Sequence, residues 1–362
     1  VDLQTFTLTL RGTGPSITGG ATIVGTGLLK FLNTAATTLT VNTSTATIAA
    51  STEVVSTSGT LTLAAGGFNL TFSGNLTVSG TTANNGIDIG AGRTLTAAGS
   101  SVTMASGTAF LATGTTGILK LNATTPPLTF NADGAVTLTN LTVSNDVVLA
   151  LTGTTPSVTV GGAFVHDGGN LNFGAFDLTV SGSYAKSGTT SAYTATTGYL
   201  IIGTTTFNQG ATAFSIANLR FTANATQTIA SQTGVVTVTG KLDVRATPDI
   251  SNANTNSTTI LAVADAATVN YRSGGFDVPP AYAGTIVLVV DQAASGTVMD
   301  TDVWPSTPST LVTTLRVANA LSADVIELPG DRTVNSVLEL RTGVLDLGTT
   351  ADRTLTVVNG AT

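Results

Sequence analysis

The feature that most constrains this chain is the alternation of apolar and hydroxyl side chains with a period of two. It appears in Thr5-Phe6-Thr7-Leu8-Thr9-Leu10, Thr60-Leu61-Thr62-Leu63, Val136-Thr137-Leu138-Thr139 and Val236-Thr237-Val238-Thr239. A strand turns successive side chains to opposite faces, so this pattern predicts half-buried strands with Leu, Val or Phe inside and Thr outside. Ser-Gly, Gly-Gly, Asn-Gly and Asn-Asp pairs break the runs at short intervals and read as turns. The segment nearest to a helical pattern is 311–321, and its Val and Thr content argues for strand. The fold class is all-β.

Internal repeats select the form. Gly-x-Leu-x-Leu, a glycine-containing turn and Leu-Thr-Val recur at Gly59-Thr-Leu61-Thr-Leu63 with Leu70-Thr71-Phe72, and at Gly169-Asn-Leu171-Asn-Phe173 with Leu178-Thr179-Val180. A third copy is Gly343-Val-Leu345-Asp-Leu347 with Leu355-Thr356-Val357. Short strand, glycine corner, short strand predicts a parallel β-solenoid rod with rungs of about 22 to 26 residues, equivalent positions stacking at about 4.8 Å. Tandem β-sandwiches are the alternative, because alternation alone does not separate the two.

Charge divides the chain. Residues 1–240 hold seven acidic and six basic groups, and residues 241–362 hold thirteen and seven. The change falls near Ala246-Thr-Pro-Asp and a polar run at 251–258, predicting a low-charge solenoid over 1–245 and a β-repeat segment with longer loops over 246–362. In the second part the acids Asp324, Glu327, Asp331, Glu339 and Asp346 alternate with Arg332, Arg341 and Arg353, which predicts cross-strand ion pairs on a solvent face.

Composition removes several functions. Only 9% of residues are charged against about a quarter in an average domain, the net charge is −7, and no basic stripe exists to meet nucleic-acid phosphates. The longest apolar runs, such as 286–290, are far short of the about twenty residues that span a bilayer. Zero Cys removes disulfides, zinc thiolates and a Cys nucleophile. The start at Val1 reads as a processed or trimmed chain, and few Lys and Glu with much Thr and Asn suggest an extracellular surface.

With those repeats in view, the segments 304–311, Leu315-Arg-Val317, Val325-Ile-Glu-Leu328-Pro329, Val337-Leu-Glu-Leu340 and 343–357 carry a resemblance. They resemble the β-strand-repeat regions of large bacterial cell-surface and adhesin-like proteins, many of them exported by type IX secretion. The resemblance implies a secreted, cell-surface structural role with no shared catalytic residues; such proteins commonly end in a sorting domain, and reaching Thr362 without one reads as a departure explained by cleavage or by a fragment.

Each candidate for chemistry has a plainer reading. His166, the one histidine, precedes Asp167-Gly168-Gly169 and reads as a solvated turn residue; catalysis would need a converging nucleophile and carboxylate. Asp300-Thr301-Asp302 and Asp88 offer oxygens to Ca²⁺, which needs six to eight, so no cofactor is assigned and these stay weak metal candidates. Paired carboxylates for sugar cleavage are sparse before 241, so no enzyme is expected. Water-ordering Thr ladders would need strict register from coil to coil, and the irregular spacing argues against it. Phe6, Phe68, Phe72, Phe130, Phe173 and Phe176 fall at inward positions, while Tyr184, Tyr193 and Tyr199, in a Gly/Thr/Ser-rich stretch, form the expected surface contact patch, with surface glycans as partners.

The functional expectation is a structural subunit or segment of a surface filament or adhesin. Strand edges template further strands, so head-to-tail self-association is expected through Val1, Leu3, Phe6, Leu8, Leu10, Leu355 and Val357. A carbohydrate-binding or carbohydrate-cleaving β-helix module is the alternative.

Overall fold

The computed structural model describes residues 1–11, 15–17, 22–42, 46–57, 59–63, 68–80, 85–104, 108–111, 116–153, 155–230, 233–245, 250–252, 261–291, 297–305, 311–319, 321–347 and 353–358. Among them the single helical element is a 3-10 turn at Thr301–Val303; the segment read as strand from its Val and Thr content is the strand Leu311–Ala318. No helix among them is long and apolar enough to cross a membrane. Two compact units are present, Val1–Thr194 and Ala195–Thr362. The 245/246 charge boundary falls beside 246–249, outside the described residues.

In the first unit one coil runs through the strands Leu28–Asn33, Thr37–Val41 and Thr47–Ile48, and the next begins at Ser51–Ser56. Strands of successive coils pair in parallel: Thr7–Arg11 lies beside Leu28–Asn33, then Ser51–Ser56, Leu76–Gly80, Ser101–Met104, Leu128–Asp133, Val147–Thr152 and Asn170–Gly174. The protein is a parallel β-solenoid, which excludes tandem sandwiches of antiparallel sheets. Rungs vary more than the repeats suggest, from 19 residues (Phe130 beside Leu149) to 28 (Val102 beside Phe130). Corners absorb the difference, and in the second unit strands do so too, through register shifts between Ile216 and Asn218, Ile286 and Val287, and Val312 and Thr314.

Alternation turns one residue in two inward, and stacking joins these into columns. One runs Leu10, Phe31, Val54, Val78, Met104, Ala132, Leu151. Another runs Ile48, Phe72, Ala97, Leu121, Val143, the bulky Phe72 beside the small Ala97, which keeps the interior filled. The second unit repeats the device with Leu200, Leu219, Leu242, Val269, Leu288, Leu315, Leu338 and with Ile202, Phe221, Val244, Tyr271, Val290, Val317, Leu340. Each member of these two columns is at most 1% exposed until the last coil, where Leu338 is half-buried and Leu340 is exposed.

Corners are held by amide and carboxylate side chains that bond the backbone of neighbouring coils. Asn140 donates from Nδ2 to the Gly117 carbonyl (2.8 Å) and accepts at Oδ1 from the Ala163 amide (2.6 Å), so one side chain ties three coils. Asp146 accepts from the Asn170 amide, Asp265 from Thr285, and Asp331 from Thr354. Gln227, fully buried, donates to the Ile202 and Thr204 carbonyls. Where backbones approach closest only glycine fits: a Cβ on Gly182 would stand 2.1 Å from the Gly162 carbonyl oxygen.

Two substitutions test this. Leu219→Ala removes a fully buried link of the inward column and is expected to lower unfolding free energy by about 2–5 kcal/mol in urea titration. Gly182→Ala is expected to destabilise although it adds apolar surface; an unchanged midpoint would disprove the close-stacked corner.

Candidate functional site

The first unit's inward columns change character near 166. The column Ile48, Phe72, Ala97, Leu121, Val143 continues with His166 and then Lys186, and its neighbour Leu95, Leu119, Leu141, Phe164 continues with Tyr184. His166 ends the strand Ala163–His166, shares the inward face with Phe164, and is 0% exposed. The reading of His166 as a solvated turn residue is therefore corrected: only Asp167 and the glycines after it form the corner.

Tyr184 and Tyr193 are likewise not a surface patch. Both are buried, with hydroxyls 2.6 Å apart. Tyr184 stacks on Phe164, and Tyr193 meets the His166 ring edge-on at 4.6 Å. Burial pushes both phenols up, well above the ordinary tyrosine value. Lys186 is 3% exposed, donates to the Gly188 carbonyl at 3.0 Å, and is pushed down by desolvation. His166 Nε2 stands 3.1 Å from the Gly169 carbonyl, and burial, opposed by the Gly169 and Gly168 backbone and by Asp167 and assisted by the Lys186 charge, pushes its pKa down to about 4. Enclosed in this way, the cluster presents no atom to a large substrate; what it can do is hold or refuse a proton. The parity signal that would have located it, Phe164 to His166 and Tyr184 to Lys186, is present in the sequence.

Tyr199, in the second unit, is half-buried beneath the Arg220 guanidinium, 4.1 Å from the ring centroid. Phe6 and Phe68, read as inward, are 71% and 45% exposed, because each precedes its strand and escapes its parity; Phe176 is half-buried in a turn. Asp300 spends its carboxylate on capping, accepting from the Asp302 amide at 2.7 Å, and burial with Asp300 and Asp277 nearby pushes Asp302 up. Asp88 is buried and accepts from the Gly90 amide. Among the described residues no group of three His, Cys, Asp or Glu is placed to hold a metal.

The outward faces carry the remaining polarity. Thr22, Thr47, Thr71 and Thr96 do stack in register, against the expectation from spacing, and Lys120 then interrupts the ladder. A shallow groove of about 220 Å³ lies on the same sheet over Thr116, Ile118, Asn140, Thr142, Ala163 and Val165, with no charged side chain in its lining. In the second unit an outward column runs Ile201, Arg220, Asp243, Asn270, Val289, Arg316, Glu339. Asp243 bridges Arg220 (2.7 Å) and Arg245 (2.8 Å); Glu339 bridges Arg316 and Arg341, and Arg353 pairs with Glu327. The expected ion pairs are formed in part: Glu327 meets Arg353, Glu339 meets Arg341 within its own strand and crosses to Arg316, which spacing alone did not name, and Arg332 lies over the Trp304 ring. Comparison with protein-family models, with characterised proteins and with solved structures found no match.

Asp243 is almost fully buried between two arginines, so Asp243→Asn is expected to lower stability by about 2 kcal/mol. Glu53→Gln, at the half-exposed Lys30 pair, should cost less than about 1 kcal/mol. Denaturant titration of the two variants side by side checks the contrast.

Proposed function

We propose that the protein is a secreted structural component of a bacterial surface fibre or adhesin, extended by coil-on-coil stacking against a second copy of itself. One observation carries the reading: where large apolar side chains are exposed. Among the described residues all of them lie either in the first 68 positions, from Val1 to Phe68, or from Val298 onward; none lies between. Leu8 and Leu10, half-buried on the strand Thr7–Arg11, have the two-residue spacing of Leu338 and Leu340 and of the stacked pair Leu315 and Val317. The strands Thr7–Arg11 and Leu355–Val357 each pair on one side only among the described residues, leaving backbone groups free to template a further strand. A parallel edge meeting a parallel edge forms a heterologous contact that does not close on itself, the geometry of a filament.

Within the expected contact set, Leu3 is 6% exposed and packs within its own chain, so it is withdrawn. Val1, Phe6 and Val357 are exposed, while Leu8, Leu10 and Leu355 are half-buried. The extracellular reading rests on a sequence poor in Lys and Glu, rich in Thr and Asn and acidic in balance, and on the resemblance to bacterial surface proteins.

Negative-stain electron microscopy at two concentrations, with and without a calcium chelator, is the test. Uniform fibres are expected, surviving chelation. Phe6→Asp and Val357→Asp, both at exposed positions, should each shorten them and move the sedimentation profile toward monomer. Isolated rods at high concentration, or fibres indifferent to both substitutions, would overturn self-stacking and leave a glycan-binding module as the reading to pursue.

A further inference from the structure

His166 is set into its column with one ring nitrogen satisfied and one bare. Nε2 donates to the Gly169 carbonyl, so the neutral ring carries its hydrogen there, and Nδ1 is buried with no hydrogen-bond partner among the described residues. A second proton must go to Nδ1. The Gly169 and Gly168 backbone and the Asp167 charge favour that proton, and burial together with the Lys186 charge outweighs them. Val143 lies beside it on the preceding strand and Lys186 beside it on the following one. The Tyr193 and Phe164 rings close the interior, and Tyr184 lies in the adjacent column, its phenol bonded to that of Tyr193. Asp167, the nearest carboxylate in sequence, accepts from Ser144 and Ser187 hydroxyls at the corner. The Ser191 hydroxyl donates to the His166 backbone carbonyl, tying the ring's own residue into the following coil. A cation on His166 would thus be enclosed with the Lys186 ammonium.

We propose that the His166–Lys186 step is an acid-triggered joint: protonation of His166 opens the coils around 163–193 while the coils of 28–56 stay closed. The inference does not rest on fibre formation; it concerns the unit Val1–Thr194 by itself.

The direction follows from linkage. The opened segment exposes a histidine of ordinary affinity, near 6.5, whereas the closed one binds its proton only near pH 4. Between those values the open form holds more protons than the closed form, so closure is fully favoured above about pH 6.5 and weakens as pH falls toward 4. From those two affinities the opening equilibrium should rise about 20-fold between roughly pH 7 and pH 5.

Hydrogen–deuterium exchange of the full chain, read by mass spectrometry at those two pH values and corrected for intrinsic exchange rates, measures it. Peptides covering 163–193 should show the rise of about 20-fold, and peptides covering 28–56 should not. His166→Gln, which cannot take the proton, should abolish the rise. Lys186→Met, which removes the like charge, should reduce it. An equal rise in both segments, or an undiminished rise in His166→Gln, would overturn the proposal. Should His166→Gln fail to fold, the comparison of the two segments in the unaltered chain and in Lys186→Met still decides it.

Discussion

Parallel backbone pairing between one coil and the next is the constraint on which everything else here depends. It fixes which residues meet: Phe31 on Val54, Phe72 on Ala97, Leu219 on Leu242. Once the pairing is set, period-two alternation sorts most strand residues to the interior or to solvent, Asp243 and Val289 being outward residues that are nonetheless buried. The interior becomes a set of apolar columns, each fully buried link contributing about 1.5–3 kcal/mol of hydrophobic stabilisation. Because corners provide slack, joined in the second unit by bulges within strands, rungs of 19 to 28 residues coexist with parallel pairing.

That division explains what could be read from the residues and what could not. Strand positions, face parity and parallel stacking follow from local alternation and recurring Gly-x-Leu-x-Leu, and the fold class is legible in them. Corner ties are not. Asn140, Asp146 and Asp265 act one at a time on coils 20 or more residues away, at irregular spacing, and each looks like an ordinary turn residue in the sequence. The Thr22 to Thr96 ladder is legible by contrast, its members standing 25, 24 and 25 residues apart, a nearly constant spacing that the irregular Leu-Thr-Val runs around it obscure.

The interior polar cluster was misread for a different reason. His166 stands beside two glycines, and reading forward from it gives a turn. Reading backward, Phe164 and His166 occupy the same face of one strand, just as Tyr184 and Lys186 do on the next. Alternation outweighs the polarity of a single side chain here, because flipping one residue outward would flip the entire strand and expose Phe164. The fold tolerates the buried polar groups since the phenols bond each other and the ammonium finds a carbonyl, with His166 Nδ1 left as the exception.

The same pairing has a mechanical meaning within either unit. The bonds that join coils run along the stacking direction, so tension applied that way loads them directly. When a coil does yield, the chain it releases is its own contour, 19 to 28 residues, or about 65–100 Å. Unequal corners therefore give the stack extensible links of unequal length, each of which takes up slack by a different step before the next is loaded.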